Sequence, residues 1–292
     1  MKKRTYVIPT ICACALLAFL QGCARANSPI QKPRLSITFL DVGQGDAELV
    51  RTPEGKTVLI DAGSQGCGSD TLLDKLGVTV IDDFILTHPH EDHYGNLRTL
   101  LGKFAVKRIS FNRPDYPKSQ YPDFAGLFQY ITDTLRLDTL VLSSGRNLPG
   151  YNSTHLLCLW PAPNAPSEGI ADSINALSIV LAISYGASCA MFTGDINFDA
   201  EAQLVNNGLL VPAAVLKTAH HGSKNASSLA FLSALSPMMA IISVGVGNSY
   251  GHPEEETLGR LQSAGCAVMR TDLEGTIQLW MEADGSVLSG NF

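Results

Sequence analysis

The sequence predicts an α/β protein in which two β-sheets pack face to face with helices on both outer surfaces, an αββα four-layer sandwich. Three observations point there. Apolar runs of strand length outnumber the helix candidates. Strands and helices intersperse in both halves of the chain, so one face of each sheet needs a partner sheet and the other needs helices. A chain of 292 residues without internal repeats is long enough for one large core.

The elements follow in order. Met1 to Arg4 carries three positive charges, Tyr6 to Leu20 is apolar but too short to span a bilayer, and Leu20-Gln21-Gly22-Cys23 closes the segment. This reads as a secretory signal over residues 1–22. Residues 23–33 are polar and interrupted by proline, a tether. Residues 34–292 form the globular domain. Removing Lys2, Lys3 and Arg4 leaves 18 basic against 27 acidic side chains, a formal charge of −9. Such a surface repels polyanions, which excludes unselective nucleic-acid binding and leaves phosphate chemistry to a local site.

Within the domain, Leu35 to Leu40, Ala47 to Arg51 and Thr57 to Ile60 read as strands joined by glycine-containing turns. Val80 to Thr87 is a longer apolar run. Further strand runs are 107–111, 139–142, 156–160, 177–184, 190–193, 214–218, 239–244, 267–270 and 276–281. Helices fit at 71–76, 94–101, 124–135, 198–205, 227–235 and 253–262. In 124–135, Phe124, Leu127, Phe128, Ile131 and Leu135 recur at helical spacing, and 253–262 begins with a proline and three glutamates that suit a helix start. Cys67, Cys158, Cys189 and Cys266 lack CxxC spacing, so a cysteine zinc site is not expected. An oxidising compartment permits disulfides whose pairing stays open.

The chemistry concentrates in Thr87-His88-Pro89-His90-Glu91-Asp92-His93, directly after a strand. Three imidazoles and a carboxylate are suitable ligands for zinc, manganese or iron. His88 and His90, two apart, share a side of an extended segment, while Asp92 and His93 fall where the chain turns into a helix and can face a second ion.

That His-x-His-x-Asp-His pattern resembles the metal motif of the metallo-β-lactamase superfamily. More narrowly, several blocks resemble the C-terminal hydrolase domain of the ComEC family of bacterial competence proteins: Phe39 to Ala47, Leu86 to His93, Phe192-Thr193-Gly194-Asp195, Leu216 to Lys224, Ile242 to Gly245 and Asn248 to Pro253. The resemblance implies a metallo-β-lactamase-type sandwich holding two divalent metal ions. His88 and His90 would serve the first ion, Asp92 and His93 the second, and Asp195 would bridge them. One of His220 and His221 would complete the second site, spacing leaving the choice open. Asp61 would orient ligands without touching metal. Where the superfamily often has a further histidine, this chain reads Ser173 to Ser178, and His155 is expected to be structural.

Such an enzyme would use a metal-bound hydroxide oriented by Asp92 and Asp195, with the ions about 3.5–4 Å apart. Lys217, Ser223, Lys224, Asn248 and His252 flank the motifs as candidate substrate contacts, Tyr250 is a candidate on the rim, and Asp46 and Gln44 either shape a turn or approach the site. The expected function is phosphodiester hydrolysis of DNA or nucleotides. A cell-envelope phosphocholine or teichoic-type esterase and a non-catalytic binding lipoprotein are the alternatives. The Leu20–Cys23 segment resembles a bacterial lipobox, which implies lipidation at Cys23, membrane attachment through that lipid and an extracytoplasmic location. No motif points to a protein partner.

Overall fold

The computed structural model describes residues 33–113, 116, 120–163 and 174–291. The signal, Cys23 and nearly all of the tether lie outside the described residues. Among the described residues no helix is long and apolar enough to cross a membrane.

The first sheet begins as an antiparallel meander of β1 (Leu35–Phe39), β2 (Glu48–Arg51) and β3 (Thr57–Ile60), with Ile37 opposite Val50 and Leu49 opposite Leu59. It continues in parallel through β4 (Val80–Leu86), β5 (Ala105–Phe111) and β6 (Asp138–Val141). Helices α1 (Ser69–Lys75), α2 (Glu91–Tyr94), α3 (Leu97–Lys103) and α4 (Pro122–Gln129) occur in the crossovers. The second sheet opens with the antiparallel β7 (Thr154–Trp160), β8 (Val180–Tyr185) and β9 (Ser188–Phe192). It then runs parallel through β10 (Val215–Lys217), β11 (Met239–Ile242) and β12 (Ala267–Arg270). Its crossovers contain α5 (Phe198–Asn206), α6 (Leu229–Leu235) and α7 (Glu255–Ser263), and the short α8 (Thr271–Glu274) follows β12. The chain then returns to the first sheet as β13 (Ile277–Met281) beside β1 and β14 (Val287–Asn291) at its edge, giving eight strands facing six.

Side-chain alternation divides the core into three parts. Ile37, Phe39, Val58 and Ile60 from one sheet meet Leu181, Ile183, Phe192 and Val215 from the other. Phe39 and Phe192 stack across the gap at 6.2 Å between ring centroids. Leu73, Leu100 and Phe124 cover the outer face of the first sheet, and Leu204, Phe231 and Leu261 that of the second. The αββα sandwich is therefore observed, each sheet burying both faces.

Local differences have steric causes. The helix expected over 94–101 is two pieces, α2 and α3, and starts earlier. Gly95 at the break lies so close to the preceding loop that an added Cβ would sit 2.4 Å from Gln65 N. β14 escaped the sequence reading because Ser289, Gly290 and Asn291 are poor strand formers. Gly290 is there because Trp280 occupies the space of its side chain, 2.6 Å from an ideal Cβ. The 177–184 run begins with a 3-10 turn over Asn175–Leu177 before β8 starts at Val180. Cys67, Cys158, Cys189 and Cys266 are all unpaired thiols.

Candidate metal centre

The parallel strands point their carboxyl ends at one rim of the sandwich, the end of an open α/β sheet where ligands bind. Asp61 follows β3, His88 to His93 follow β4, Asp195 follows β9, and His220 and His221 follow β10. Residues 160 positions apart at their extremes, Asp61 and His221, thus converge.

Two ligand groups built from the sequence motifs result, beside a third that overlaps them, Asp46, His93 and Asp195. His88, His90 and Asp195 form one; Asp92, His93 and His221 form the other. Within each, one ligand atom per residue lies within 4.8 Å of the others. His88 Nε2 and His90 Nδ1 stand 3.0 Å apart. Asp195 Oδ2 lies between the groups, 3.8 Å from His88 Nε2, 3.3 Å from His93 Nε2 and 3.6 Å from His221 Nε2. His221 Nε2 is also 3.2 Å from Asp92 Oδ2. The structure thus places His221 among the second group. His220 is partly exposed, its Nε2 3.9 Å from Asp195 Oδ2. Both histidines have left-handed backbone (φ 50° and 53°), a sharp turn that sends the two rings apart.

The donor set fits divalent cations. His93 Nε2, His221 Nε2 and Asp195 Oδ1 are buried without a hydrogen-bond partner, an arrangement that is costly unless a ligand meets them. All the donors are imidazole nitrogens and carboxylate oxygens, suited to zinc or manganese.

A hydrogen-bond network orients them. Asp61, fully buried, accepts from Thr87 N at 2.8 Å through Oδ1 and from Thr87 Oγ1 at 2.7 Å through Oδ2. Its Oδ2 also lies 2.7 Å from His93 Nδ1. Thr87 Oγ1 is in turn 3.1 Å from His88 Nδ1. The arrangement that suits a bound cation has both Nδ1 atoms donating and both Nε2 atoms facing the centre as acceptors. Without a cation, burial of the His93 imidazole is outweighed by the carboxylates of Asp195, Asp61 and Asp92, which push it well above its ordinary value. Burial pushes the His88 imidazole well below its ordinary value, with the neighbouring His93 adding to it, so the ring is neutral and ligand-ready. Asp195 is held well below the usual carboxylate range, against its burial, by His93 and His221.

Behind His221 lies a buried ion pair that the sequence reading did not anticipate. Lys217 is 1% exposed and its Nζ is 2.6 Å from Asp46 Oδ2. Asp46 Oδ1 is 3.2 Å from His221 Nδ1, which also lies 2.9 Å from Ser243 O. Lys217, one of the candidate phosphate contacts, is thus buried with its charge paired to Asp46 and does not line the cleft. Asp46 approaches the site from the turn after β1. Only its place in a Gly-Gln-Gly-Asp turn hinted at this.

Above the two groups opens a cleft of about 580 Å³, lined by Gln44, Ser64, His90, Glu91, Asp92, Asn175, Asp195, His220, His221, Tyr250 and His252. Of the candidate substrate contacts, His252 and Tyr250 line it. Ser223, Lys224 and Asn248 do not. Ser223 is buried and its carbonyl accepts from Thr257 Oγ1 at 2.7 Å; Lys224 pairs with Glu254 at 3.1 Å; Asn248 is spent holding its own loop. Asn175, from the segment that lacks a histidine, was missed as a lining residue. His155 is exposed on β7 and does not line the cleft.

Comparison with known proteins agrees with this geometry. The model of the metallo-beta-lactamase superfamily matches residues 40–142. ComE operon protein 3 of Bacillus subtilis (strain 168) is 30% identical over 290 residues, covering 91% of this chain and 35% of the relative. Competence protein ComA of Neisseria gonorrhoeae is 28% identical over 254 residues, covering 86% and 33%. The chain thus spans about a third of the length of these curated relatives. Among solved structures, the metallo-beta-lactamase fold protein YhfI of Bacillus subtilis superposes with a TM-score of 0.53 at 12% identity, covering 88% of this chain and 100% of that one. The two sheets with their helices share the metallo-β-lactamase fold, residues 40–142 match the model of that superfamily, and over most of its length the chain is similar to the competence relatives ComE operon protein 3 and ComA.

Proposed function

We propose that the protein is a lipid-anchored, extracytoplasmic hydrolase that uses two divalent ions, zinc or manganese, to cleave phosphodiester bonds in DNA or nucleotides. The observation that supports it most is the pair of ligand groups meeting at Asp195 on the floor of an open cleft. His88, His90 and Asp195 would hold one ion, and Asp92, His93, His221 and Asp195 the other. Ions held there supply charge neutralisation at a phosphoryl oxygen and acidification of water. The chain's own residues do the rest. Asp92, whose side chain is 27% exposed, and Asp195 present carboxylate oxygens to the cleft and can orient an attacking water by accepting its hydrogen. His220 reaches the same space from the rim and can hydrogen-bond a phosphoryl or leaving oxygen. No serine or cysteine nucleophile is needed.

The choice of DNA or nucleotides as substrate rests on the resemblance to the ComEC family. One observation favours a second reading, a cell-envelope phosphocholine or teichoic-type ester: among the described residues lining the cleft there is no lysine or arginine to grip a long polyanion. Metal analysis of purified protein, followed by turnover of bis(p-nitrophenyl) phosphate by wild type and His90→Ala, tests the enzymatic reading. A metal-free, inactive wild type would favour the third reading, a binding lipoprotein. Nuclease gels run beside phosphocholine-ester assays separate the two substrates. Membrane attachment rests on the Cys23 pattern, and Cys23→Ala is expected to release the protein from the membrane fraction.

A further inference from the structure

The rim of the cleft carries an aromatic side chain that packing does not explain. Tyr250 is 68% exposed, yet its ring lies offset-stacked on His252, with centroids 5.8 Å apart and planes at 21°. His252 in turn meets His220 and His221 at 5.6 and 6.4 Å. An unbroken series of rings therefore runs from the buried ligand group to the solvent edge of the cleft.

The loop that presents Tyr250 is held rigid. Asn248 Oδ1 accepts from Tyr250 N at 3.2 Å and from His252 N at 3.0 Å, while Nδ2 donates to Gly245 O at 3.0 Å and to His252 O at 2.6 Å. A single side-chain amide thus uses both its donors and its acceptor on one turn. A pre-set aromatic loses little entropy when a planar group lands on it. The cleft offers no lysine or arginine among its described lining residues, so flanking phosphates are not what the rim is built to hold.

We infer that Tyr250, backed by His252 and positioned by Asn248, is the stacking platform for one unpaired nucleobase next to the phosphodiester being cleaved. This rests on the phosphodiesterase reading and narrows it: a base inside a duplex has both faces covered, so single strands, frayed ends and small nucleotides are favoured over intact duplex. Stacking on an aromatic ring is tolerant of base identity, so little sequence preference is expected.

The test compares a dithymidine dinucleotide with the same molecule made abasic on either side of the phosphate. Wild type should prefer the base-bearing form, and Tyr250→Ala should raise its KM by about tenfold or more and collapse the preference toward one. Tyr250→Trp should restore it. A second readout needs no turnover: a short single strand carrying 5-iodouracil, irradiated with the metal-free full-length protein, should cross-link within the 245–252 loop, and a duplex should not. If the preference survives Tyr250→Ala, the inference is overturned while the phosphodiesterase reading stands. If wild type hydrolyses no phosphodiester and no cross-link forms at this loop, both fall.

Discussion

Asp61 Oδ2 sits 2.7 Å from His93 Nδ1, and through Thr87 Oγ1 the same oxygen is linked to His88 Nδ1. One buried carboxylate therefore sets the orientation of a histidine in each of the two ligand groups. Asp61 itself adopts left-handed backbone (φ 57°), which costs an aspartate little because its short side chain tolerates that region.

Replacing Asp61 with asparagine keeps the shape but substitutes an amide for the carboxylate. Metal affinity should fall about 10- to 100-fold, as for other outer partners of metal-bound histidines. Competition with a chromogenic chelator reads this directly. Metal that binds only the folded state also raises its stability. The rise in melting temperature on adding zinc or manganese to the chelator-treated protein should therefore be smaller in Asp61→Asn than in wild type. An unchanged affinity would show that Asp61 merely fills space.

The Lys217–Asp46 pair makes a prediction of a different kind. Both partners are buried, so removing one leaves an uncompensated charge behind His221. Lys217→Met should destabilise the protein by roughly 3–5 kcal/mol in denaturant unfolding. Adding Asp46→Asn should recover part of the loss, because the stranded carboxylate is gone. Equal destabilisation by the single and double variants would show that Lys217 acts through packing alone.

These two networks mark where the sequence was legible. Strands such as Val80–Leu86 were plain because they are largely buried, so that apolar Val80, Ile81, Phe84, Ile85 and Leu86 outnumber Asp82 and Asp83. His88, His90, Asp92 and His93 were plain because they are adjacent in the chain. Assigning His221 over its neighbour needed the backbone turn that separates the two rings, which no spacing encodes. Lys217 misled because lysine is almost never fully buried, and its partner Asp46 lies 171 positions away. The lining residues Ser64 and Asn175 come from separate segments of the chain and carry no local pattern.

Glu54 predicts acid sensitivity. Its carboxylate accepts from Thr154 Oγ1 at 2.8 Å, Ser153 Oγ at 2.9 Å, Asn152 N at 3.2 Å and Thr154 N at 3.3 Å, pinning the start of β7. Partial burial raises its pKa, but hydrogen bonds from its own backbone and from the Thr154, Ser153 and Thr52 hydroxyls outweigh this and bring it down to about 2. A depressed carboxylate stabilises the fold above its unfolded value near 4.5 and loses that contribution as pH falls toward 2. Glu54→Gln should therefore be less stable than wild type at pH 6, with the gap closing between pH 4.5 and 2 in urea unfolding. A gap that is constant with pH would contradict the assignment.

Glu201 should behave in the opposite sense. It is fully buried on α5 and accepts from Ser227 N and, at 2.7 Å, from Ser228 N. Burial dominates, against the Ser228 and Ser227 donors and Arg260, and lifts its pKa to about 7 from 4.5. Between those values the folded state binds a proton that the unfolded state has released, so stability falls as pH rises, by up to about 3 kcal/mol, and levels off above pH 7. Glu201→Gln lacks the titration and also loses an acceptor for one backbone N–H, so it should be less stable at pH 5 yet show a flatter profile from pH 5 to 8. Because Glu201 lies on the outer helix layer, away from the cleft lining, the effect should be the same with and without metal. A profile that stays as steep as wild type would place the titrating group elsewhere.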